Sequence, residues 1–74
     1  MEKEYSVVLF FSTSSAIRTE KLARKQGVNV KLIPVPRHLS SDCGICLRFR
    51  STDTKSIKNI LDKEIIEYDS IKDM

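Results

Sequence analysis

The segment YSVVLFF, residues 5–11, decides the fold, because it contains the longest apolar run of the chain and is rich in β-branched and aromatic residues. Nearly continuous apolarity is typical of a strand that is buried on both faces at the centre of a sheet. Ser12 follows, and then Thr13, Ser14 and Ser15, any of which can cap a helix by accepting a hydrogen bond from an unpaired amide. The segment therefore predicts a central strand that leads directly into a helix.

Two further elements are predicted after this strand. The helix runs to about Gln26, since Gly27 stands where a left-handed residue commonly ends a helix. A second strand covers residues 28–35, and Pro34 and Pro36 are expected to end its pairing, because proline cannot donate to a ladder. The residues predicted to face the core are Ala16, Ile17, Thr19 or Glu20, and Ala23 in the helix, and Val28, Val30 and Leu32 in the strand.

The second half of the chain predicts a strand, a helix and a final edge strand. Residues 45–49 alternate, which puts Cys46 on the face opposite to Leu47 and Phe49 and on the same face as the following arginines. Thr52, Asp53 or Thr54 is expected to cap a second helix. The apolar residues of that helix, at helical spacing, are Ile57, Ile60 and Leu61. The tail, residues 64–74, predicts a short edge strand.

This order of elements predicts an α+β fold of the ferredoxin-like type, a βαββα(β) sandwich in one domain spanning residues 1–74. Its antiparallel sheet carries two helices on one face. The first and second strands then run in the same direction without being neighbours. The loop after the second strand is therefore expected at the C-terminal end of the first strand, with Ser12–Ser15 and the start of the first helix as its neighbours.

Length and composition limit the functions that are open to this chain. A domain of 74 residues, 41% hydrophobic and 31% charged, is folded but too small to enclose a deep pocket. Surface chemistry or binding is favoured over a self-contained enzyme. The apolar runs are too short for a membrane span, and Glu2 and Glu4 do not suit a signal peptide, so we expect a cytoplasmic protein with reduced cysteines.

Positive charge is concentrated in the middle of the chain. Residues 18–50 hold eight Lys or Arg against Glu20 and Asp42, whereas the segment after Thr52 holds four lysines against six acids. Such a region attracts an anionic small molecule, an acidic protein or nucleic acid. Nucleic acid is disfavoured as a partner, because no aromatic residues alternate with the basic ones.

The candidate chemistry lies in the loop that holds Cys43. A thiol needs a lowered pKa to act as a nucleophile at neutral pH, and a helix N-terminus with a nearby arginine supplies this effect. Arg37 is the candidate cation, and Gly44 allows a positive φ or a close approach of the backbone. Ser40 and Ser41 are candidates for holding the loop or donating to an anion, as are Ser12, Thr13 and Ser14 at the helix start. Burial of Cys43 as a small apolar residue is the structural alternative.

Cys46 is the weaker of the two cysteines as a functional candidate. A redox Cys-x-x-Cys motif normally opens a helix, but here the pair opens a strand, whose side chains alternate between faces. A closed zinc site needs about four ligands, and only His38 adds to the two cysteines locally. The residues themselves imply no cofactor.

The chain resembles the family of small selenium/sulfur carrier proteins, formerly a domain of unknown function, over nearly its whole length. The resemblance lies in Phe10-Phe11 before the Ser/Thr turn, Ala16 and Glu20, Gly27-Val28, Ile33-Pro34-Val35-Pro36-Arg37, Ser40-Ser41, Cys43-Gly44 and Arg48-Phe49. It implies that Cys43 carries sulfur or selenium as a persulfide or selenopersulfide between donor and acceptor proteins. The chain departs from the family pattern at His38, Asp42 and Cys46, which puts an essential second thiol in doubt.

Three functional hypotheses result. The first is a chalcogen carrier that uses Cys43. The second is a binding or regulatory module that docks a partner or an anion through the basic loop, residues 34–44, and the third is a thiol–disulfide redox protein that uses Cys43 and Cys46. A homodimer through an unpaired sheet edge is compatible with each of them.

Overall fold

A four-stranded antiparallel sheet and two helices make up the computed structural model of the protein, which describes residues 4–39 and 44–73. The strand order is β2-β3-β1-β4, so that β1 and β2 run in the same direction on either side of β3. This arrangement confirms the ferredoxin-like α+β fold. The elements are β1 (Tyr5–Leu9), α1 (Thr13–Lys25), β2 (Val30–Pro34), β3 (Ile45–Arg50), a 3₁₀ turn (Ser51–Asp53), α2 (Thr54–Lys63) and β4 (Ser70–Asp73).

Strand β1 is central and buried on both faces, as its apolarity predicts. Val8 points toward the helices and joins the main core, whereas Val7 and Leu9 point to the opposite face, which we call the open face. All three side chains are almost completely shielded from solvent. The main core between sheet and helices contains Val8, Phe10, Ala16, Ala23, Val30, Leu47, Phe49, Ile57, Ile60, Leu61 and Ile66.

The open face carries a second, smaller apolar cluster. Val7, Leu9 and Cys46 form its buried part. Ile33 of β2 packs against them, as do Val35 and Leu39 of the β2–β3 loop. The described part of this loop therefore covers one end of the sheet on the face that has no helix.

Helix α1 begins one to three residues earlier than the sequence predicts. The N-cap is Ser12, whose hydroxyl accepts a hydrogen bond from the amide of Ser15 at 3.3 Å, and not Thr13, Ser14 or Ser15. The extended backbone of Ser12 suits an N-cap, because a capping residue lies outside the helical region. Ile17, predicted to face the core, is partly exposed, and Thr19 takes the inner position between Ala16 and Ala23.

The C-terminal end of α1 confirms the role predicted for Gly27. Its φ is +81°, the left-handed region that glycine adopts without a Cβ penalty. The Gly27 amide donates to the carbonyl of Arg24 at 3.0 Å, and the Val28 amide donates to that of Ala23 at 2.9 Å. These two bonds form a Schellman motif, which satisfies carbonyls that the helix leaves unpaired.

Several strands are shorter or longer than predicted. Strand β1 stops at Leu9, β2 starts only at Val30, and β3 continues to Arg50. The amide of Val35 donates to the carbonyl of Gly44 at 3.1 Å, so β2–β3 pairing extends one bond past Pro34. Asp53 occupies the N-cap of α2 without a side-chain hydrogen bond, because a 3₁₀ turn leads into the helix.

The predicted edge strand in the tail is present as β4. It pairs antiparallel with β1, with Leu9 opposite Ser70 and Ser6 opposite Asp73. Strands β2 and β4 are the two edges of the sheet, and a homodimer through either edge stays a prediction. Neither α1 nor α2 is long and apolar enough to cross a membrane, and no other α-helix occurs within the described ranges.

The end of α2 places an isoleucine where glycine is preferred. Ile65 has a φ of +53°, and the amides of Ile65 and Ile66 donate to the carbonyls of Asp62 and Leu61. This is the same Schellman geometry as at Gly27. A β-branched residue in the left-handed region is strained, and the Ile65 side chain, 87% exposed, gains little packing in return.

Replacing Ile65 by Gly is expected to stabilise the fold. Relief of the left-handed strain, less the chain entropy that glycine adds to the unfolded state, should raise the free energy of unfolding by about 0.5–1 kcal/mol. Urea denaturation measures this change. Gly27→Ala is the matched control and should lower the same free energy, and a loss of stability in both variants would contradict the account of Ile65.

Candidate functional site

The loop between β2 and β3 lies at the end of the sheet where β1 also finishes. Cys46 at the start of β3 is paired with Leu9 at the end of β1 on one side and with Ile33 near the end of β2 on the other. The predicted position of the loop relative to β1 is thus confirmed. Because β1 leads through Phe10–Ser12 into α1, the first turn of that helix is at the same end of the sheet.

A tight turn presents the basic residues of the loop to solvent. The Leu39 amide donates to the carbonyl of Pro36 at 3.0 Å, which closes a β-turn with Arg37 and His38 at its two central positions. Both side chains are exposed, and within the described part of the chain Arg37 forms no ion pair. Pro36 is the first residue of the turn, and its ring restricts the backbone there. The guanidinium of Arg37 is therefore accessible to an anion or an acidic partner.

Apolar contacts attach this turn to the sheet. Leu39, the last residue of the turn, and Val35, directly before the turn, pack against the apolar cluster of the open face. Cys46 belongs to that cluster and is completely shielded from solvent. Its predicted face is confirmed, but its sulfur lies in the interior, so a partner protein cannot reach it in this conformation.

Gly44 anchors the other end of the loop. Its φ of +81° is in the left-handed region, and its carbonyl accepts the hydrogen bond from Val35. A Cβ at this position would meet no neighbouring atom within 4 Å. The need for glycine is therefore conformational, and the positive φ predicted for this position is confirmed.

Cys43, Ser40 and Ser41 lie outside the described residues, together with Asp42. The chain enters this segment at Leu39 and leaves it at Gly44, both of which have defined contacts. The reactivity predicted for Cys43 and the contact between it and the start of α1 remain predictions.

The residues at the start of α1 are exposed, and the Ser12 hydroxyl takes part in capping the helix. The Ser12 hydroxyl accepts from the Ser15 amide and donates to the Ser15 hydroxyl at 3.1 Å. Thr13 and Ser14 occupy the first turn, and their side chains are open to solvent. Helix α1 packs on one face of the sheet and Leu39 on the other, so the described half of the loop does not lie on the helix side.

The structure adds residues that the sequence did not single out. A depression of about 300 Å³ is bordered by His38 and Leu39 of the loop. Its other walls are Leu9, Asp69, Ser70 and Lys72, which belong to the end of β1 and the start of β4. β4 lies beside the loop because the tail pairs antiparallel with β1. The sequence of the tail predicts an edge strand, but its weak pattern does not show the strand with which it pairs.

Phe11 is a further residue that sequence reasoning assigned to the buried strand. It follows the last β1 residues and precedes the N-cap of α1, and 55% of its surface is exposed. Exposed aromatic side chains are typical anchors at protein–protein interfaces. The two adjacent phenylalanines thus differ, with the ring of Phe10 in the core and that of Phe11 at the surface.

Shortening Leu39 is expected to uncover Cys46. In a Cys43→Ser background Cys46 is the only thiol, and its reaction with an aromatic disulfide reagent reports its exposure. Leu39→Ala should weaken the packing of the loop by about 1–2 kcal/mol, which corresponds to a labelling rate about 5–30 times higher. Leu22→Ala, which trims a half-buried leucine in the main core, is the matched control. Equal labelling rates in the two variants would mean that the loop does not protect Cys46.

Comparison with known proteins identifies one family. The family model described as "Putative Se/S carrier protein-like" matches residues 4–72, nearly the whole chain, and includes the segment from Pro34 to Gly44. No curated protein and no solved structure matches the chain significantly.

Proposed function

Because the chain belongs to the Se/S carrier protein-like family, we propose that Cys43 holds sulfur or selenium as a persulfide or selenopersulfide and passes it between a donor and an acceptor protein. The family match carries this proposal, since it spans the loop that contains Cys43. The exposed turn at Arg37 and the anchored backbone at Gly44 support it, because they flank the cysteine with an accessible cation and a defined attachment point.

The proposed transfer is a thiol exchange in two steps. The Cys43 thiolate attacks the outer sulfur of a persulfide on the donor, the sulfur–sulfur bond of the donor breaks, and the donor thiolate leaves. An acceptor thiolate then attacks the outer sulfur on Cys43 and releases the Cys43 thiolate. Each step forms one bond to sulfur and breaks another, so no external oxidant, reductant or cofactor is needed.

The burial of Cys46 favours one working thiol over two. The sulfur of Cys46 is shielded from solvent within the cluster that it forms with Val7 and Leu9, so that a partner thiol cannot reach it in this conformation. A carrier in which Cys43 alone exchanges sulfur with partner proteins agrees with this burial.

Partner proteins would meet the protein at the end of the sheet where the loop lies. Arg37 and His38 form an exposed polar rim there, and Phe11 supplies an exposed aromatic surface on the neighbouring turn. A central aromatic anchor with a polar rim is the usual composition of a binding interface. The donor and the acceptor are expected to use this end of the sheet in turn, since each has to reach the same sulfur.

Sulfur loading tests the proposal directly. After incubation with a cysteine desulfurase and cysteine, intact mass spectrometry should show one added sulfur on the wild-type protein and none on Cys43→Ser. Cys46→Val should load within about twofold of wild type, because valine can fill the apolar site without a thiol. An unchanged yield in Cys43→Ser would refute the carrier proposal, whereas loss of loading in a folded Cys46→Val would favour the dithiol mechanism.

Arg37, the exposed cation of the loop, leads to a second prediction. In the Cys46→Val background the pKa of Cys43, taken from the pH dependence of alkylation, should lie below the value of about 8.5 that is usual for cysteine. Arg37→Gln should raise this pKa, since a positive charge favours the thiolate. Arg18→Gln, which removes an exposed arginine that pairs with Glu64, is the control and should leave the pKa unchanged. If the pKa of Cys43 in the Cys46→Val background is the same with and without Arg37→Gln, Arg37 is excluded as the activating group.

A binding or regulatory module is the second candidate function, and the accessible guanidinium of Arg37 favours it. In that case Cys43 is structural and the turn docks an acidic partner. Full partner binding by Cys43→Ala, together with no sulfur loading of the wild type, would establish this function in place of the carrier.

A further inference from the structure

A cleft lies at the opposite end of the sheet from the Cys43 loop. It is formed where β2 and β1 begin and β3 ends, and its volume is about 350 Å³. Its polar lining consists of Tyr5, Arg24, Asn29, Lys31, Arg48 and Arg50. Four of these six residues are cations, and no carboxylate lines the cleft within the described part of the chain.

Two of the positive charges in this cleft face each other across neighbouring strands, which lowers the stability of the sheet. Lys31 of β2 and Arg48 of β3 are direct cross-strand partners, and both occupy the open face because Cys46 two residues earlier does so. Like charges directly opposite each other on a sheet are destabilising. Among the described residues no carboxylate forms an ion pair with Lys31, Arg48 or Arg50. An arrangement that costs stability without a counter-ion is typical of a site that binds an anion.

Two of the cations are oriented by contacts within the protein. The guanidinium of Arg48 lies 4.5 Å from the centre of the Tyr5 ring, a cation–π contact that orients it. Arg24 donates to the carbonyl of Val30 at 3.2 Å and pairs with Glu20 at 3.3 Å. Lys31 and Arg50 are exposed. The site thus combines preorganised guanidinium groups with exposed charges that can contact a ligand.

We propose that this cleft binds a small molecule that carries at least two negative charges, of the phosphate-ester class. Arginine forks match the oxygen geometry of phosphate, and a volume of about 350 Å³ lies within the range of small-ligand sites. Single-stranded nucleic acid fits less well, because no aromatic ring of the lining is open for a base to stack on. Phe49 is buried, and Arg48 already covers the ring of Tyr5. The proposal is independent of the chemistry at Cys43.

Titration with inorganic pyrophosphate tests the site. Backbone amide shifts followed by NMR should saturate with a dissociation constant below about 1 mM and should be largest at the ends of β2 and β3 that line the cleft. Lys31→Gln and Arg50→Gln should each weaken binding about tenfold or more. Lys72→Gln is the matched control, since Lys72 lies on the same face, on the same rung as Arg48, but outside the cleft. It should change the affinity less than twofold.

Thermal unfolding separates a binding site from a merely structural cluster. Lys31→Gln should melt at or slightly above the wild-type temperature without ligand, because the like-charge pair is gone, and should lose most of the pyrophosphate-induced rise in Tm. Unsaturable shifts, or equal weakening by Lys72→Gln, would overturn the proposal in favour of general surface charge. Binding of a short single-stranded oligonucleotide more than tenfold tighter than pyrophosphate, with the same variants affected, would overturn it in favour of nucleic acid.

Discussion

The burial of β1 on both faces is the constraint on which the rest of the structure depends. A central strand with apolar side chains in both directions needs a cover on each side, and this chain supplies two different ones. Helices α1 and α2 cover Val8, whereas Val35 and Leu39 of the β2–β3 loop pack on the side of Val7 and Leu9. The loop that leads to Cys43 is therefore also a packing element of the sheet.

This double role explains why the loop has an ordered frame in so small a domain. A β-turn at Pro36–Leu39, the side chain of Leu39 and the Val35–Gly44 hydrogen bond hold both of its ends. The chain is therefore attached to the fold on both sides of residues 40–43.

The open face is divided along the direction of its strands. Its end near the loop is apolar and covered, with Val35 and Leu39 packed against the cluster that contains Cys46, and its other end is basic, with Lys31, Arg48 and Arg50 on neighbouring strands. A basic surface of this kind attracts anions electrostatically. The two proposed sites are nevertheless separate, since they lie at opposite ends of the strands.

Much of the fold could be predicted from sequence, because local patterns determine most of its elements. The continuous apolarity of β1, the positive φ of Gly27 and the helical spacing of Ile57, Ile60 and Leu61 are local signals that tertiary packing did not override. The misplaced N-cap at Ser12 has a local cause as well, since four consecutive hydroxyl residues offer nearly equal caps. Ile17 and Phe11 were assigned to the core from their type, and the packing of α1 left both partly exposed.

The sequence by itself determined the order of the strands and helices, the end of the sheet at which the cysteine loop lies, and the face to which Cys46 points. Each of these depends on periodicity or on the connection rules for βαβ units. Only the tertiary structure decided that Leu39 packs against the cluster that contains Cys46, that β4 borders the loop and that four cations meet in one cleft. These features join residues that are distant along the chain, and cross-strand register and loop packing determine them, which no local pattern encodes.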